Sequence, residues 1–168
     1  DVYKMIASLK PSNTNYAGTV QAAYSAYNML SSTEKQYVTN FATLQEAKNN
    51  ADSVQAVISK IASISPTSRN YAEQVAEALA MYNSLPSAVR KLVTNYDALK
   101  SSQKEADTVD KVRQLISEIN LNASNFESKL KSARSAYDKL STQQKRLVSN
   151  YFLLEDYEAQ LNNSSFFF

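Results

Sequence analysis

The feature that most restricts this chain is an internal repeat with a step of 55 residues and no gap. Asn15-Tyr16 returns as Asn70-Tyr71 and as Asn125-Phe126, and Tyr27 returns as Tyr82 and Tyr137. Leu30, Leu85 and Leu140 match, as do Val38, Val93 and Val148. Asn40, Asn95 and Asn150 match, followed by Phe41, Tyr96 and Tyr151 and by Leu44, Leu99 and Leu154. Residues 12–66 and 67–121 are identical at about 19 aligned positions. Self-similarity at such a period marks architectures in which one supersecondary unit recurs and neighbours complete each other's cores. Val2, Ile6 and Leu9 align with Val57, Ile61 and Ile64 and with Val112, Ile116 and Ile119. Residues 1–11 therefore read as the tail of a preceding repeat, 12–66 as repeat 1, 67–121 as repeat 2 and 122–168 as a partial repeat 3. Partial copies at both ends predict a window cut from a longer array.

Each repeat reads as helix, short helix, long helix. Tyr16, Val20, Ala23, Tyr27 and Leu30 fall at spacings of three and four, which places them on one face of a helix over 15–30. Ser31 followed by Glu34 predicts a capping box opening a short helix at 33–39. Asn40 closes that helix in every copy and is expected in the left-handed conformation that Asn tolerates. Phe41, Leu44, Ala51, Val54, Ile58 and Ile61 predict a long helix over 41–64, with Val57 on its shoulder and a kink or split near Asn49-Asn50 and Asp52. Pro66 ends the unit, because proline cannot continue a helix. At ~25 cal/mol per Å² of buried apolar surface, one such unit barely offsets its own ordering entropy, so neighbours are expected to lean on each other. The fold class is all-α: tandem three-helix-bundle repeats forming an elongated rod, with an α-solenoid as the alternative.

Composition narrows the chemistry. The chain has no Cys, no His and one Gly. It therefore has no thiol nucleophile, no imidazole base and no ordinary zinc or copper site. Gly18 alone cannot build a glycine-rich phosphate loop. The expectation is a protein that is not an enzyme and holds no cofactor. A net charge of +2, from 18 basic and 16 acidic side chains, is too balanced for a dedicated nucleic-acid binder. No apolar run approaches the ~20 residues of a membrane span.

The third copy carries the fullest version of the pattern. It runs from Ala136-Tyr137 through Leu140-Ser141, Gln144-Lys145 and Val148 to Asn150-Tyr151 and Leu154. The first copy shows the same order from Ala26-Tyr27 through Leu30-Ser31 and Val38 to Asn40-Phe41 and Leu44. This resembles the A-Y-x-x-L-[ST]-x-x-Q-K-x-x-V-x-N-Y-x-x-L helical repeat of Gram-positive S-layer and S-layer-homology cell-surface proteins. The resemblance covers nearly the whole chain. It implies an extracellular place at the bacterial surface or cell wall, with neighbouring copies or other surface-layer subunits as partners.

Three sets of side chains are candidates for contact. Lys35, Arg90 and Lys145 align on the short helices, and beside them stand Gln36, Lys91 and Arg146. Lys35, Arg90, Lys91, Lys145 and Arg146 read either as a solvated face or as a basic ridge for an anionic wall polymer or an acidic partner. Tyr27, Tyr82 and Tyr137 read as core-edge residues, whereas Tyr24, Tyr37 and Tyr157 are not repeated and are candidates for stacking on sugars. Glu105, Asp107 and Asp110, and Glu155, Asp156 and Glu158, lie on predicted helix, where a solvated face is a better account than a calcium site. Phe166-Phe167-Phe168 has no counterpart in the repeat.

The leading expectation is a structural and interaction module of a bacterial surface layer or surface filament, providing spacing and lateral assembly. The alternative is a carbohydrate-binding module for an anionic secondary cell-wall polymer. A third class is a helical accessory domain of a wall enzyme.

Overall fold

The computed structural model describes residues 1–165 and is all-helical, with 71% helix and no strand among the described residues. Phe166, Phe167 and Phe168 lie outside the described residues. A short helix α1 (Val2–Ala7) is followed by three sets of three: α2 (Tyr16–Asn28), α3 (Ser32–Lys35) and α4 (Phe41–Ala62); α5 (Tyr71–Ser84), α6 (Ser87–Arg90) and α7 (Tyr96–Ser117); α8 (Phe126–Asp138), α9 (Thr142–Arg146) and α10 (Tyr151–Ser165). The starts of the corresponding helices are 55 residues apart in every case.

Local chemistry explains these boundaries. Ser31 Oγ accepts from the Glu34 amide at 3.2 Å, while the Ser31 amide donates to Glu34 Oε2 at 2.8 Å. The same reciprocal pair links Ser141 and Gln144 at 3.1 and 2.9 Å. These capping boxes satisfy donors that a helix start leaves open. In the middle set Pro86 stands at the cap and makes no side-chain bond. There Arg90 ties the short helix back instead, donating from Nε to the Leu85 carbonyl at 3.0 Å and from Nη2 to that of Asn83 at 2.7 Å.

The joints share one geometry. The Asn13 and Tyr16 amides donate to the carbonyls of Lys10 and Asn13, those of Ser68 and Tyr71 to Ser65 and Ser68, and those of Ala123 and Phe126 to Asn120 and Ala123. Pro11 and Pro66 occupy the second position of the first turn in two joints, where a fixed φ near −65° suits it. Leu121 fills that position in the third without changing the bonds.

Several local expectations are corrected. The short helices are briefer, at 32–35 rather than 33–39, because Val38 and Tyr37 already donate three residues back in a tightened turn. Asn40 is not left-handed: its φ is −103°, and no described residue, glycine included, has positive φ. The helix α4 is unbroken through Asn49-Asn50 and Asp52. Ala47, Ala51 and Val54 are buried there, and Lys48 grips Asp52 one turn on at 2.6 Å. Val57, 1% exposed, is the core residue, and Ile58 is the shoulder.

Burial repeats with the sequence. Leu44, Leu99 and Leu154 are fully buried, as are Ala23, Ala78 and Ala133. A methyl side chain at the crossing lets two helices approach closely. One cluster gathers Ile6 of α1, Ala23 of α2 and Leu44 of α4, with Val2, Tyr27 and Phe41 against it. Another gathers Val109, Val112 and Ile116 of α7, Leu130 and Ala133 of α8, and Leu154 of α10. In both, a segment at the same repeat position, α1 in the first and the second half of α7 in the second, packs with a first helix and the start of the next long helix. Ile6 and Ile116 occupy the same repeat position, so α1 plays the part that the end of α7 plays later. The helix α4 also lies against α6.

The chain divides into two compact units, residues 1–63 with 76–99 and residues 64–75 with 100–168. The helices α5 and α7 each contribute to both.

Candidate functional site

The recurring feature of the surface is a stacked pair of rings under a cation. The last turn of each first helix carries a tyrosine, and the first residue of each long helix carries an aromatic, so the intervening short helix folds one ring onto the other. Tyr27 and Phe41 lie 4.0 Å apart and 14° from parallel, Tyr82 and Tyr96 4.1 Å and 9°, and Tyr137 and Tyr151 4.3 Å and 14°. Over these pairs sit the basic residues of the short helices. Lys35 Nζ is 5.4 Å from the Tyr27 ring centre, the Arg90 guanidinium 5.9 Å from Tyr82, and Lys145 Nζ 5.4 Å from Tyr137. A cation over a ring face at an exposed site contributes ~0.5–1 kcal/mol.

Of the five basic ridge residues, Lys35, Arg90 and Lys145 are thus half-buried on rings. Lys91 and Arg146 are exposed. The non-repeated tyrosines divide as well. Tyr24 packs at the first cluster with Lys48 Nζ 6.0 Å from its ring, and Tyr157 meets Phe126 edge-on at 6.1 Å. Tyr37 is exposed.

Four of the six clustered carboxylates, Glu105, Asp110, Asp156 and Glu158, are engaged with neighbouring side chains. Glu158 takes Arg134 Nε and Nη2 at 2.6 Å each, a planar fork on both oxygens. That carboxylate holds the Arg134 guanidinium above its usual range. Glu105 accepts from the Tyr71 hydroxyl at 3.0 Å, and Asp110 and Asp156 each accept from a glutamine one turn on. Among the described residues no group of three carboxylates is placed to hold a metal, and no helix is long and apolar enough to cross a membrane.

Sequence reading missed two features. The first is the work done by the repeated asparagine. Asn40, Asn95 and Asn150 donate from Nδ2 to the carbonyls of Tyr3, Ile58 and Arg113 at 3.0, 2.9 and 2.9 Å, always 37 residues upstream. Their identity in all three copies was the available signal. The second is Arg69, which lines one cleft with Arg146. Position 69 corresponds to Thr14 and Ser124, so the repeat carried no signal for it.

Comparison of the chain with family models, with curated proteins and with solved structures found no match.

Proposed function

We propose that the chain is a non-catalytic spacing and assembly module of a bacterial surface layer or surface filament. In this reading it consists of tandem three-helix repeats in an elongated rod, with a solenoid as the alternative arrangement. The observation that carries the reading is the asparagine bond made three times over the same 37-residue span. Two of these bonds fasten the start of one long helix to the second half of the long helix before it, and the third fastens the start of α4 to α1 at the same repeat position. A long helix shared in this way gives each copy a partner on both sides, so the array extends by addition and its length follows copy number. The recurring stacks of ring and cation support the same reading, because they join first helix, short helix and long helix without presenting a reactive group. Neighbouring copies or other surface-layer subunits are the partners this module would meet, outside the cell.

The test is display at a cell surface. An epitope is fused beyond the full chain, and beyond versions with one and two further copies of residues 67–121 inserted after Leu121, anchored to a Gram-positive wall. Antibody access that rises with copy number is the expected result. Access independent of copy number overturns the spacing role.

A further inference from the structure

We propose that a cleft lined by the joint at residues 66–69 and the short helix α9 binds a phosphate diester of a polyol-phosphate chain. Five arginines occur in the chain. Arg90 donates to helix-end carbonyls, Arg113 pairs with Asp110 at 3.8 Å, and Arg134 is held by Glu158. Arg69 and Arg146 make no ion pair, hydrogen bond or ring contact with any described residue, and both line this one cleft of about 370 Å³. That volume lies within the ~300–1,000 Å³ usual for small-ligand sites.

Two exposed cations lining one cleft with no carboxylate among its lining residues leave an anion as the complementary occupant. A guanidinium presents a planar fork that matches two oxygens of a phosphate, which a lysine ammonium does not. The rest of the lining suits what flanks a phosphate in a polyol chain. Thr67 and Ser149 offer hydroxyls and Gln143 offers an amide, all able to meet neighbouring hydroxyl groups. Pro66 and Leu147 supply the apolar wall. No ring lines the cleft, so it lacks the stacking platform that single-stranded nucleic acid uses.

The pair is not a by-product of the repeat. The positions equivalent to Arg69 hold Thr14 and Ser124, and those equivalent to Arg146 hold Gln36 and Lys91. A double-arginine cleft therefore belongs to one joint, independently of the spacing role.

The test uses the full chain and calorimetric titration with poly(glycerol phosphate), inorganic phosphate, polygalacturonate and a single-stranded oligonucleotide. Two double variants lose equal charge: Arg69→Gln with Arg146→Gln, and Lys35→Gln with Lys91→Gln. The first should weaken poly(glycerol phosphate) binding about tenfold or more and the second less than about twofold, since only the cleft forms charge-assisted bonds to the phosphate. The Gln143 side-chain amide resonances of the unmodified chain should shift during the titration. Equal weakening by both variants, absence of binding by the unmodified chain, or tighter binding of polygalacturonate or the oligonucleotide overturns the proposal. Inorganic phosphate binding as tightly as the polymer would overturn the polyol chain as occupant.

Discussion

Asn95 reaches back 37 residues to donate from Nδ2 to the carbonyl of Ile58 at 2.9 Å, joining the start of α7 to the second half of α4. The acceptor lies inside a helix, so it is a carbonyl already facing an amide one turn on, and the asparagine adds a second donor. The Oδ1 of the same side chain is buried and has no partner among the described residues, as are those of Asn40 and Asn150. A net hydrogen bond of this kind contributes about 0.5–1.5 kcal/mol.

Asn95→Ala should therefore lower unfolding free energy by about 1 kcal/mol. Asn95→Asp should cost more at neutral pH, because a carboxylate would face the Ile58 carbonyl. Such a carboxyl would have its folded pKa raised above its unfolded value. The protonated form would favour the fold, and the deficit would shrink as pH falls through the carboxylate range. Urea titrations of both variants at neutral and acidic pH check this; equal deficits at all pH values would contradict the placement of that side chain.

The core is tested within one helix. Leu154 is fully buried, whereas Phe152, two residues earlier, is 63% exposed. Leu154→Ala should cost about 2–5 kcal/mol, and Phe152→Ala under about 0.5 kcal/mol. Thermal unfolding of the two variants side by side gives the comparison.

Much of this fold was legible because helix starts and core positions are local. The spacing of Tyr16, Val20 and Ala23 fixes a helical face, and Ser31 with Glu34 fixes a cap, without knowledge of anything distant. The candidate site was less legible for the opposite reason. Nothing in the spacing of Tyr27, Lys35 and Phe41 says that the short helix will close ring on ring and set the ammonium above them. The stripe along α4 runs unbroken from Leu44 to Ile61, so it conceals that its two halves serve different neighbours. Asn40 was readable as a helix end. Its bond to Tyr3 depends on a partner 37 residues away.

Gly18 lies inside α2, where glycine destabilises a helix by roughly 0.5–1 kcal/mol relative to alanine. A Cβ there would stand 2.4 Å from Asn15 Oδ1, the end of an exposed, flexible side chain. The equivalent positions hold Glu73 and Ser128, each preceded at the same distance by Asn70 and Asn125, so a Cβ is accommodated twice already. Gly18→Ala should stabilise by about 0.5–1 kcal/mol, read as a higher melting temperature. A lower one would mean that Asn15 cannot turn aside.

Alkaline titration probes the buried phenols. Burial, ahead of the neighbouring Glu46, raises the Tyr16 pKa, and burial ahead of Glu105 raises that of Tyr71. Tyr137 is raised by burial first and then by Tyr151. A raised folded value means that the fold favours the protonated phenol. The contribution is complete below the ordinary value of 10.0 and is lost as pH rises through the folded value. Phenolate absorbance should show a late-ionising class, and Tyr71→Phe should remove part of it and flatten the alkaline loss of stability. An unchanged profile in that variant would contradict the burial of the Tyr71 hydroxyl.

The most direct test of the spacing account is small-angle scattering from the chain and from a version with a second copy of residues 67–121 inserted after Leu121. If long helices are shared between successive bundles, the maximum dimension grows by on the order of 30 Å, the length of a long helix at ~1.5 Å per residue, and the cross-section stays constant. A compact body would instead grow by only a few Å in radius, following the ~0.38 power of chain length. Growth of that second kind, with a widening cross-section, would contradict the account.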